Sequence, residues 1–138
     1  MNQITPVVKQ LLIVNVIIFL AANFFMPILN DYFPLYYFEN PAFQFWQPIT
    51  HMFMHGGFSH ILFNMFALYS FGSVLEQIWG GKKFILFYIL CGLGAAVLHT
   101  AFNYWQIHDV VSTLTLNGFK ENEIFELLNS GRIDTRWQ

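Results

Sequence analysis

The sequence predicts an all-α membrane protein, a polytopic bundle of transmembrane helices. Of its 138 residues, 56% are hydrophobic and only 10% are charged, whereas about a quarter of the residues of a soluble domain are charged. A soluble chain of this length buries only about two thirds of its unfolded surface. Much of the apolar surface would therefore stay in water, and a lipid bilayer is the more suitable solvent. The net charge of −2, with six scattered basic residues, provides no basic surface for nucleic acid.

Three apolar runs have the length that a bilayer requires. They cover 11–29, 61–78 and 84–102, and their one Asp, Glu, Lys or Arg is Glu76, near the end of the second run. At 1.5 Å per residue, each run reaches roughly 27–29 Å, about the thickness of the hydrocarbon core. Three such runs in so short a chain predict three spans rather than the buried helices of a soluble core.

Lysines in the short loops predict the orientation of these spans. Lys9 precedes the first run, and Lys82 and Lys83 separate the second from the third, whereas 30–59 contains no Lys or Arg. Cytoplasmic loops are enriched in these residues. We therefore expect a cytoplasmic N-terminus, with 30–59 and 103–138 on the outer side.

Two segments outside the spans have patterns of their own. The 30–59 loop is rich in aromatic residues and interrupted by three prolines, which indicates either an aromatic belt or a structured element at the membrane interface. The 103–138 segment is polar and is interpreted as an extracytoplasmic loop. Within it, 117–130 predicts a short capped helix with one apolar side, followed by Gly131.

The stretch 51–64 (HMFMHGGFSHILFN) carries the strongest chemical signal. Polar and ionisable groups near membrane depth are costly and are functional candidates by default. His60 and Asn64 are four residues apart and therefore share one helix face. Two donors that point from one wall toward one position are what an oxyanion hole requires.

Two other interpretations stay open on spacing alone. His60 and Asn64 could hydrogen-bond to neighbouring helices, as polar residues in membrane bundles do. Alternatively, the histidines at 51, 55 and 60 could handle a metal or haem. Gly56–Gly57 interrupts the helix before the third of them, however, and no carboxylate or thiolate lies nearby. We therefore assign no metal ligands and no cofactor.

The order of these motifs resembles the rhomboid family of intramembrane serine proteases. The pattern H-x-x-x-H-G-G-x-x-H-x-x-x-N at 51–64, the exit sequence LEQIWG at 75–80 and the Gly/Ala-rich third run are similar to the first three spans of the six-span rhomboid fold. The resemblance covers most of 1–105. It implies that transmembrane proteins are the substrates, that a serine attacks with a histidine as base, and that the membrane is the inner or plasma membrane of a bacterium.

The resemblance also implies a role for each polar residue. His60 and Asn64 would be the side-chain donors of the oxyanion hole. His51 and His55 would hold the loop and the mouth of the second span together. Glu76 would brace the cytoplasmic ends of the helices.

The sequence departs from the family pattern in two places. Rhomboids often have Trp followed by Arg in the first loop, but Trp46 is followed by Gln47, which argues against an ion pair as the loop anchor. Rhomboids also carry the nucleophile in a G-x-S-G motif on the fourth span and the base on the sixth, and no G-x-S-G occurs here. We expect an N-terminal part of a protease that is inactive alone. The alternative is a non-catalytic rhomboid-like protein that binds transmembrane clients.

Overall fold

The computed structural model of the chain describes residues 3–129, and within that range it contains helices and turns but no strand. Three of the helices are long and apolar enough to cross a membrane. The predicted all-α membrane bundle is therefore confirmed, and the chain is an integral membrane protein. The helices are α1 (Pro6–Phe25), α2 (Leu29–Tyr32), α3 (Gln47–Thr50), α4 (Phe58–Trp79), α5 (Gly81–Leu116) and α6 (Glu121–Asn129).

The first span begins and ends earlier than the predicted run 11–29. Pro6 occupies the first turn of α1. Its missing N–H costs no helical hydrogen bond there, and its fixed φ suits the helix. The helix ends in a π-turn that reaches Phe25, because Pro27 disfavours helical geometry in the residue before it. The side-chain amide of Asn30 then donates to the Ala22 carbonyl at 2.9 Å and closes the chain back against the helix end.

The core of the bundle lies where α1, α4 and α5 come together. Val8, Leu11 and Phe84 are buried against one another. Gly72 lies in a π-turn of α4 beside this cluster. A Cβ on Gly72 would lie 3.1 Å from Val8 and 3.2 Å from Phe84, so the missing side chain lets the helices approach closely.

The outer faces of the spans are apolar as well. Phe63, Phe66 and Leu98 are 71%, 65% and 73% exposed, respectively. In water such apolar surfaces would promote aggregation, whereas lipid tails solvate them. This distribution fits a protein surrounded by the bilayer.

The loop between α1 and α4 is a folded element rather than a simple aromatic belt. The Trp46 indole N–H donates to the Tyr32 carbonyl at 3.2 Å, and the Thr50 hydroxyl donates to the Phe33 carbonyl at 2.8 Å. Helix α3 lies against α5. Met52 occupies the space beside Gly92, where any Cβ would overlap its side chain. The loop is thus fixed both to itself and to the third span.

The third span continues well beyond the predicted run 84–102. Helix α5 has 36 residues, about 54 Å, which exceeds the hydrocarbon core by roughly 24 Å. Residues 103–116 are therefore helical, although their polar character predicts a loop. The helix ends at Leu116, and the chain turns away at Gly118, whose φ of +93° suits glycine. Phe119 donates to the Leu114 carbonyl there at 3.2 Å, as in a Schellman motif.

The predicted helix over 117–130 is present as α6, Glu121–Asn129. It contacts α5, and Val111 of α5 and Ile124 of α6 are both buried. The helix therefore packs back on the extension of the third span. Gly131, predicted to follow the helix end, lies outside the described residues.

Candidate active site

The candidate site is built at the N-terminal end of α4. The helix begins at Phe58, directly after Gly56–Gly57, so His60 and Asn64 occupy its first two turns. At this spacing they lie on one face of the helix. Both residues are exposed. Neither side chain hydrogen-bonds to any other residue in the described range 3–129, so their donors are free to bind a further group.

His55 approaches this face from the loop. It is only 7% exposed, and its ring meets the His60 ring edge to face, with 5.2 Å between the ring centroids. The His55 Nδ1 lies 3.2 Å from the Phe53 carbonyl oxygen. A carbonyl only accepts hydrogen bonds, so Nδ1 carries the proton and Nε2 is left as the acceptor of the neutral ring.

A cavity of about 280 Å³ lies beside the histidine pair, between the end of the loop, α4 and α5. Its volume is near the lower end of the range for ligand sites in proteins. His55, Asn64 and Tyr88 provide its polar groups, and Met52 is among its apolar walls. The cavity thus joins a donor from α4 to groups from the loop and from the third span. The full lining consists of Met52, His55, Asn64, Met65, Leu68 and Tyr88.

Both loop histidines favour the neutral state. Burial lowers the pKa of His55 below its ordinary value of 6.5, and the neighbouring His60 adds to this, while the hydrogen bond to Phe53 opposes it. Burial likewise lowers the pKa of His51, with a smaller contribution from His99. His51 does not line the cavity. Its Nδ1 lies 3.0 Å from the carbonyl oxygen of Gln47, which is four residues earlier in the loop.

Glu76 lies at the opposite end of α4, roughly 18 Å from Asn64 along the helix axis. Its carboxylate accepts hydrogen bonds from the backbone N–H groups of Val7, at 3.0 Å, and Val8, at 2.9 Å. These two N–H groups belong to the first turn of α1 and have no partner within that helix. The structure therefore keeps Glu76 apart from the histidines and joins it to the start of the first span.

Between residues 3 and 129, no group of three or more His, Cys, Asp or Glu side chains is placed to hold a metal ion. His51 and His55 also point Nδ1 at backbone carbonyls. The two residues are four apart in sequence, but the 3₁₀ turn ends at Phe53 and His55 is outside any helix, so they do not share a helix face.

Sequence reasoning missed two walls of the cavity. Tyr88 was not singled out, although a hydroxyl inside an otherwise apolar run is a usable signal. Met52 was not singled out either, because a methionine side chain carries no reactive or ionisable group. Its position beside Gly92 also depends on how the loop folds back on α5.

Comparison with known proteins identifies relatives of this part of the sequence. The family model described as Rhomboid domain matches residues 42–108. The chain is 30% identical over 60 residues to Rhomboid protease GluP of Bacillus subtilis (strain 168), which covers 44% of this chain and 12% of that protein. It is 32% identical over 67 residues to Rhomboid protease AarA of Providencia stuartii, covering 49% of this chain and 23% of that protein.

A plant relative shows the same similarity. RHOMBOID-like protein 6, mitochondrial, of Arabidopsis thaliana is 39% identical over 57 residues, or 41% of this chain and 19% of that protein. The chain thus matches less than a quarter of the length of each of these relatives, and no solved structure matches it. Through residues 42–108, which include His51, His55, His60, Asn64 and the cavity, the chain belongs to the rhomboid family.

Proposed function

We propose that this chain carries the oxyanion-hole part of an intramembrane serine endopeptidase that cleaves transmembrane proteins, with His60 and Asn64 as the two donors. One observation carries the proposal. Two donor side chains share one face at the start of α4, and neither is bonded to another described residue. Asn64 also lines a cavity. Donors that only pack helices together would be bonded to a neighbouring helix.

The chemistry follows from where negative charge develops. When a serine oxygen attacks a peptide carbonyl, the carbonyl oxygen becomes an oxyanion, and donors that are already in place stabilise it without reorganising. The Asn64 amide and a ring N–H of His60 would supply these donors. The edge-to-face contact with His55 restricts the His60 ring, and the Phe53 carbonyl in turn orients His55.

The nucleophile and the base are not among the residues that we assign. No G-x-S-G occurs in the 138 residues, and the nearest string, at 57–60, opens α4 itself. His99 lies 3.0 Å from the amide of Asn103, and the ring centroid of His108 is 4.2 Å from that of Tyr104. Both histidines are thus engaged on α5. We propose that the serine and its histidine come from a polypeptide segment outside these residues, and that the 138 residues alone do not cleave substrates.

The orientation belongs to the same proposal. The charge asymmetry of the loops predicts that the N-terminus and the Lys82–Lys83 turn are cytoplasmic. We propose that the membrane is the inner or plasma membrane of a bacterium. The candidate site then opens on the outer side. A reporter fused after Gly81 should be cytoplasmic, and one fused after Gly118, past the end of α5, should be external. The reverse result would contradict the topology.

The test of function is reconstitution in liposomes. The later spans of a relative such as Rhomboid protease AarA are fused after Gln138, and cleavage of a transmembrane reporter is measured. We expect no cleavage by the original chain and measurable cleavage by the fusion. His60→Ala and Asn64→Ala should each lower kcat about 10²–10³-fold.

Asn23→Ala is the matched control, because among the described residues the exposed Asn23 amide bonds only to the Phe19 carbonyl of its own helix. Its kcat should equal that of the parent fusion. Indifference of the active fusion to both His60→Ala and Asn64→Ala would refute the oxyanion assignment. Cleavage by the original chain would point to a nucleophile within it, with Ser59 the first to replace. Substrate binding without cleavage by the fusion would favour the client-binding alternative.

A further inference from the structure

Gln47 is the most deeply buried polar side chain of the loop. Its exposed fraction is 0%, although it stands between Trp46 and Pro48 in a segment that is otherwise half-buried or exposed. A buried primary amide is costly unless its donors and its acceptor find partners. The question is therefore what the Gln47 amide binds.

The amide connects three separate parts of the loop. Its Nε2 donates to the Tyr32 carbonyl at 3.2 Å and to the Ala42 carbonyl at 3.0 Å. Its Oε1 accepts from the Tyr36 backbone N–H at 3.3 Å. The Tyr32 carbonyl lies at the end of α2 and also accepts from the Trp46 indole. Trp46 and Gln47, at the start of α3, therefore bind the same carbonyl oxygen.

The backbone of Gln47 extends the connection toward the candidate site. Its carbonyl oxygen lies 3.0 Å from His51 Nδ1, and the next residue, Met52, is seated beside Gly92 of α5. We propose that Gln47 is the positioning residue of the 30–59 loop, a neutral amide anchor that fixes the loop and, through His51, the segment leading to the cavity. This proposal concerns the fold of the loop and does not rest on proteolysis.

The side-chain chemistry explains why an amide serves here. Both N–H donors and the carbonyl acceptor are used, and each alternative lacks part of that set: glutamate only accepts, arginine only donates, and methionine does neither. The anchor also contains no ion pair. Its strength should therefore depend little on salt and should not titrate.

The test measures hydrogen exchange of residues 33–46 in the full chain embedded in lipid nanodiscs, as protection factors at about pH 8 and about pH 5. Gln47→Met should lower protection about tenfold or more, because the Ala42 carbonyl and the Tyr36 N–H lose their partner and the Tyr32 carbonyl keeps only Trp46. Gln47→Glu should lose protection at about pH 8 and regain much of it at about pH 5, since a buried carboxyl has a raised pKa and its protonated form again donates a hydrogen bond.

Gln44→Glu is the matched control, because it adds the same charge to a half-buried side chain that bonds to no other residue in the described part of the loop. It should resemble the parent at both pH values. Asp31, Glu39 and His51 are present in every variant, so each protection factor is taken relative to that of the parent at the same pH.

Two results would overturn the proposal. One is parental protection in Gln47→Met. The other is a loss in Gln47→Glu that is equal at both pH values, which would mean that burial of volume rather than donation matters. If Gln47→Met does not fold, the pH recovery of Gln47→Glu decides, and failure of Gln47→Glu to fold at both values counts against the donor role.

Discussion

Glu76, near one end of α4, differs in its hydrogen bonding from His60 and Asn64, near the other end. At the C-terminal end Glu76 is 6% exposed, and both carboxylate oxygens accept from the start of α1. At the N-terminal end His60 and Asn64 are exposed, with no hydrogen bond to another residue that the structure describes. The same helix thus has a paired carboxylate, that of Glu76, near one end and the free donors of His60 and Asn64 near the other.

This difference distinguishes polar groups that stabilise a membrane helix from polar groups that are available to bind a ligand or substrate. An unpaired polar group at membrane depth raises the free energy of the folded state, so it persists where it binds something else. A paired group such as Glu76 needs no further explanation than the contact it makes. We therefore expect substitutions at the Glu76 end to change stability, and substitutions at the His60 end to change activity.

The largest effect on stability should come from Glu76→Ala. It removes a charged acceptor from two N–H groups of α1 and should lower the free energy of unfolding by about 3 kcal/mol. Glu76→Gln keeps one acceptor and should lower it less. Denaturation in mixed micelles, followed by circular dichroism, measures both. Equal stability of Glu76→Ala and the parent would show that the contact does not hold α1.

Gly92→Val should have the next largest effect, because any Cβ at Gly92 overlaps Met52. We expect a loss of about 2 kcal/mol, typical of overpacking. Adding Met52→Ala should restore part of it, since the two side chains then no longer compete for one space. If the losses in the free energy of unfolding are additive in the double variant, the Met52 side chain does not occupy the space beside Gly92.

Acidification should destabilise the loop end of the molecule. The pKa values of His51 and His55 are lowered in the folded state, so the unfolded chain binds more protons. Stability should be full above the ordinary histidine value of 6.5 and should decrease as the pH falls below it. His55→Gln should flatten this profile. A parent whose stability rises on acidification would contradict the burial of these rings.

The smallest effect should come from Asn64→Ala. The side chain is exposed and bonds to no other described residue, so the free energy of unfolding should stay within about 0.5 kcal/mol of the parent. The same denaturation assay measures it. A loss comparable to that of Glu76→Ala would assign Asn64 a packing role and remove the contrast between the ends of α4.

Local sequence patterns were sufficient for some of these features and not for others. Run length and charge predict the three spans, and a four-residue spacing predicts the shared face of His60 and Asn64. The extension of α5 was not predicted, because polar composition suggested a loop, whereas the helix lacks a breaker until Gly118. The role of Gln47 could not be foreseen either, since its partners Tyr32, Tyr36 and Ala42 meet it only after the loop has folded.

One measurement tests the division between the ends of α4 most directly. In the fusion that carries the later spans, kcat per folded molecule and the free energy of unfolding are determined for Asn64→Ala and Glu76→Gln. We expect Asn64→Ala to lower kcat about 10²–10³-fold at unchanged stability, and Glu76→Gln to lower stability at unchanged kcat. If both variants instead lose activity only in proportion to lost stability, the N-terminal end of α4 is a second structural anchor and our account of the site is wrong.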